Sequence, residues 1–179
     1  CCGKSAEPGE AHQQMLAAPS ICERIAGLAE KANARFAAQQ IPPLLKGYER
    51  DLQAGRFEQA MERMESAAAF ALAAALRERR QLRAPVAESE VSAFLQGEVW
   101  PNQNQSALKG RSEALMTELQ SVMTKAASQG IRTQPEKEAI SDAWLHLAAS
   151  CTKVLVKYEA DAQEQQQAQQ QIEMGVKLC

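Results

Sequence analysis

Aromatic side chains make up only 4% of this 179-residue chain, and there are just two histidines. So few rings leave little to stack on bases, and so few imidazoles leave little for metal ligation or proton transfer. Glycine-rich phosphate loops, paired-cysteine metal motifs and serine-protease-like constellations are all missing. Gly3-Lys4-Ser5 lacks both the earlier glycine and the preceding strand that a phosphate loop needs. No stretch reaches the roughly 18 apolar residues that span a bilayer. The longest apolar run, AAAFALAAAL from Ala67 to Leu76, reads as a buried helix segment. The formal net charge of -2 offers neither a basic field for nucleic acid nor an acidic tail. These absences argue against a catalytic, metal, cofactor or nucleic-acid role and against a transmembrane span.

What the chain has instead is 33 alanines and 20 glutamines. Alanine is the strongest helix former but buries little area, so an alanine core depends on close helix approach. The length suits about one domain. No apolar–polar alternation of strand type occurs. The expected fold is all-α: an antiparallel bundle of about five or six helices joined by helical hairpins, with a long C-terminal helix.

Along the chain, residues 1–18 read as a flexible lead-in, 19–160 as the bundle and 161–179 as a Gln-rich extension or tail. Ser20 and Glu23 have capping-box spacing. Ile21, Ile25, Leu28, Ala32 and Phe36 then form a helical stripe, predicting a helix to about Gln40. Pro42-Pro43 should end it and open a short helix from about Pro43 to Ala54, with Gly55 as its stop. A long helix to about Leu82 follows, its apolar face made of Phe57, Met61, Met64, Ala68, Ala71, Leu72 and Ala75. Arg77, Arg79, Arg80 and Arg83 near its end suit the helix dipole. Further helices are expected over about Glu88–Val99 and Gln105–Ser128, the latter with Leu108, Leu115, Leu119, Val122 and Ala126 on one face. Trp100 to Asn104 reads as the loop between them. Gly130 ends the second, and Thr133 with Glu136 forms another capping-box pair.

The last helix has the cleanest pattern. Ile140, Trp144, Leu147, Cys151, Val154 and Tyr158 step by 4, 3, 4, 3, 4, a heptad seam. Such a seam packs against other helices, within the chain or in a partner, and makes these residues the candidate helix-packing interface. Glu138, Asp142 and His146 share another face, which reads as solvated because no second Glu-x-x-His pair exists to build a metal site.

Gly55-Arg56-Phe57-Glu58-Gln59-Ala60, with Met64 and Ala67, resembles the second half of a tetratricopeptide repeat. The resemblance covers about 15 residues, without a closing proline near Leu72 or a second copy. It implies helix-turn-helix packing rather than family membership.

The cysteines bear on compartment. The chain opens Cys1-Cys2. A bacterial lipoprotein begins at its lipid-bearing cysteine after signal-peptide removal, which makes Cys1 a candidate lipidation site; the bland reading is a fragment boundary. Cys22 and Cys151 are candidate disulfide partners in an oxidising compartment, where such a bond adds roughly 3–5 kcal/mol, and buried free thiols otherwise. Two functional expectations follow. One is a non-enzymatic helical interaction, scaffold or assembly subunit that binds protein through helix packing. The other is an envelope lipoprotein held to the membrane through Cys1, acting as an accessory factor or inhibitor.

Overall fold

A computed structural model of the chain describes residues 21–82, 112–127 and 130–177. The described residues are helical, in an all-α bundle, with no strand among them. Helix α1 occupies 21–31, followed by a 3-10 turn, Ala34–Phe36. Helices α2 (Ala37–Gln53), α3 (Phe57–Arg80), α4 (Ser112–Ala126) and α5 (Gln134–Lys177) complete it. The expected lead-in, the Glu88–Val99 helix and the Trp100–Asn104 loop lie outside the described residues.

The first predicted boundary is corrected. The chain breaks at Asn33, not at Pro42-Pro43. The Asn33 side chain accepts from the Arg35 N–H at 3.1 Å and caps the 3-10 turn. The new direction carries Leu28 and Phe36 out of the apolar stripe, and both are exposed. Ile21, Cys22, Ile25 and Ala29 face the core in their place. Both prolines then sit inside α2. Each removes one backbone donor, and the two orphaned carbonyls are those of half-buried Ala38 and exposed Gln39. Ile41, Leu45 and Tyr48, all fully buried, hold α2 to the bundle along the other face.

Gly55 does end α2. With φ of +73° it adopts the left-handed conformation that suits glycine. The Arg56 N–H donates to the Asp51 carbonyl (2.8 Å) and the Gly55 N–H to that of Leu52 (3.0 Å). That is the paired closure of a Schellman motif. Asp51 also binds the hairpin through its side chain. Its carboxylate, 2% exposed, accepts from Arg56 Nη2 and from Arg63 Nε, each at 2.6 Å. Arg63 reaches it by crossing Gly47, where a Cβ would stand 2.8 Å from the Arg63 side chain.

α3 is the central helix. Nearly all of its middle is buried, from Ala67 to Ala75 save for half-buried Phe70. It runs antiparallel to α2 across the Gly55 turn and antiparallel to α5. Ser141 Oγ of α5 donates to the Ala75 carbonyl of α3 at 3.2 Å, so the two backbones are in near contact there. Alanine permits this approach, because a larger side chain would hold the helices apart. Leu115, Leu119 and Val122 turn α4 onto the same core. Arg24 of α1 pairs with Glu65 of α3 and, at 2.9 Å, with Glu159 of α5.

Glu136 caps α5 by accepting from both the Thr133 N–H (2.7 Å) and its hydroxyl (2.9 Å). Thr133→Ala removes the hydroxyl and should cost about 1 kcal/mol, read as a fall of roughly 2–4 °C in melting temperature. An unchanged midpoint would show the cap to be dispensable in so long a helix.

Candidate functional site

The heptad seam is spent inside the chain. Ile140, Trp144, Leu147, Cys151 and Val154 are all buried against the chain's own helices, and α5 packs on α3 and α4. Only Tyr158, half-buried, reaches a surface. There it joins Phe57, Met61 and Ala162 around a groove of about 420 Å³, rimmed by Glu58, Glu159 and Asp161. Phe57 was expected on the buried face of α3; it is 58% exposed, because it is the first residue of its helix and has α5 on one side only.

Beyond this groove α5 continues where α3 has ended. The Gln-rich segment is helical to Lys177. From Gln165 onward every described side chain is exposed, including Ile172 and Met174. This stretch spans roughly 20 Å at the usual helical rise. Its nucleation cost is already met by the packed part of α5, which explains how so polar a segment stays helical.

The structure separates the other sequence candidates. Cys22 and Cys151 are free thiols, both fully buried. α1 runs parallel to α3: Arg24 meets Glu65, while Ala29 to Arg35 lie beside Ala73 to Arg80. Burial pushes the Cys22 thiol up to about 11, with Glu23 adding to the shift. Burial raises Cys151 too, with Glu118 acting in the same direction. Neither is a reactive thiolate. Cys1 lies outside the described residues.

Glu138, Asp142 and His146 remain on an exposed face and are drawn to different partners. Glu138 accepts from Gln134 at 3.2 Å, and Asp142 pairs with Arg79 at 2.8 Å. His146 faces Glu118 of α4. Among the described residues no group of three or more His, Cys, Asp or Glu is placed to hold a metal. Nor is any helix among them long and apolar enough to cross a membrane.

Three carboxyls give the fold a two-signed pH response. The Arg56 and Arg63 guanidiniums hold Asp51 below its ordinary value. The Thr133 N–H and hydroxyl do the same for Glu136. Both groups are charged more readily folded than unfolded, so their stabilisation is present above their ordinary carboxylate values and is lost as pH falls through their folded values. Glu118 has the opposite sign. Burial pushes it up, against the Ser150 hydrogen bond and the charges of His146 and Lys153. Folded Glu118 binds its proton first, so stability rises as pH falls through its folded value toward the unfolded one. Melting temperature should therefore rise on mild acidification and then drop steeply. Glu118→Gln should raise stability at neutral pH and abolish that rise. A variant that melts lower at pH 7 and keeps the rise would contradict this assignment.

No family model, curated protein or solved structure matches the chain.

Proposed function

We propose that the protein is a non-catalytic assembly or scaffold subunit that binds another protein by helix packing. The observation that carries this reading is the stretch of α5 beyond the bundle, a helical arm with Ile172 and Met174 uncovered. The groove at its base adds an apolar seat, with Phe57, Met61 and Tyr158 offering the aromatic and methionine surface typical of helix-in-groove docking. Such a groove takes the apolar stripe of an amphipathic helix. The buried seam plays no part in this docking.

The test is photo-cross-linking in the native host, with the reactive group placed at Ile172 and, separately, at Met61. Cross-links from both positions to one distinct protein, lost on Phe57→Glu, support the reading. A monomer giving only scattered products from both positions would overturn it.

A further inference from the structure

A second cavity, of about 310 Å³, lies at the opposite end of the bundle, where the 3-10 turn, α2, α3, α4 and α5 converge. Alanines of α2 and α3 and the Trp144 indole form its apolar lining. Arg35 of the 3-10 turn, Arg77 of α3 and Arg132 before α5 supply cations from three separate elements. Several arginines are neutralised within the fold: Arg24 by Glu65 and Glu159, Arg56 and Arg63 by Asp51, Arg79 by Asp142. Arg35 and Arg77 meet no acid among the described residues, yet they share one cavity. They also line an adjoining groove of about 430 Å³ that carries Lys31 and Arg80.

Glu78, the acid in the cavity wall, faces Arg132, whose Nη1 stands 3.7 Å from its Oε2. Arg35 and Arg77, both exposed, are the cations left to meet a ligand.

We propose that this cavity binds a small organic anion. Its carboxylate or phosphate sits between Arg35 and Arg77, whose planar forks match either group. Its carbon body lies on Trp144 and the alanines. The volume falls at the small end of ligand pockets, which excludes large cofactors. This site is independent of the docking groove at Phe57.

The test uses the full chain with Trp100→Phe, which leaves Trp144 as the sole indole. Glycerol 3-phosphate and 3-hydroxybutyrate, both optically silent, are titrated at constant ionic strength while fluorescence and melting temperature are recorded. A saturable change with either probe is expected, and the responding probe tells phosphate from carboxylate. Arg35→Ala and Arg77→Ala, both at exposed positions, should each weaken binding at least about tenfold, the usual loss for a charge-assisted contact. Lys46→Ala, on the exposed face of α2, should leave it unchanged. Failure of both probes to shift fluorescence or melting temperature would overturn the proposal. So would equal affinity in the Arg35→Ala/Arg77→Ala double variant.

Discussion

Trp144→Ala should destabilise the monomer by about 3–5 kcal/mol, with the folded protein retaining its oligomeric state. Trp144 is 4% exposed and belongs to the core at the end of the bundle where alanines of α2, α3 and α4 converge. Its neighbours are alanines, whose single methyl groups cannot swing into the space left behind. The site cannot collapse, which puts the cost at the upper part of the range for large-to-small changes. In a chain of this length, the melting temperature should fall by roughly 10 °C or more. Urea denaturation followed by circular dichroism measures it directly. A variant that keeps its midpoint but loses self-association would instead return the heptad seam to the outside of the molecule.

Ala75→Leu should cost about 3 kcal/mol, the high end for overpacking. Ala75 is fully buried, and its carbonyl takes the Ser141 hydroxyl across the α3–α5 interface. Three extra carbons at this level have no void to enter. Accommodating them means sliding the helices apart and giving up packing along several turns. Ser141→Ala, on the facing helix, should lose only about 1 kcal/mol, since one neutral hydrogen bond is removed and no volume is added. Thermal melts of the two variants side by side test the ordering. If Ala75→Leu melts within a degree of the parent, close approach of α3 and α5 is not what holds them.

The helical class was legible because its signals are local. Alanine content, the seam on α5, Gly55 and the Thr133–Glu136 pair each act within a few residues, and the fold contains them. The Pro42-Pro43 boundary misled because local preference there was outweighed. Asn33 supplied a cheaper break, and the apolar face from Ile41 to Tyr48 compensated two missing backbone bonds. Phe57 and Phe36 read as core by spacing but stand at element starts, where there is no neighbour to cover them. Whether the seam would be filled from inside or outside depends on which helix comes to lie over it, and periodicity carries no such information. The Arg35–Arg77–Arg132 cavity had no signal in the sequence, since its residues come from three elements and match no spacing.

The Asp51 latch has a kinetic consequence. Asp51 and Arg63 are twelve residues apart, so the α2–α3 hairpin closes a short loop and already holds a buried ion pair when it forms. The contact of Arg24 with Glu159 joins positions 135 residues apart and can form only once both ends of the chain are in place. Loop closure is cheapest over short separations, and local contacts set the fast steps of folding. The hairpin is thus the natural nucleus, and the docking of α1 comes late. Changes at Asp51 or Arg63 should slow refolding, whereas changes at Arg24 should mainly hasten unfolding. In hydrogen exchange α1 should open well before α3, making the first described helix the most readily shed part of the bundle.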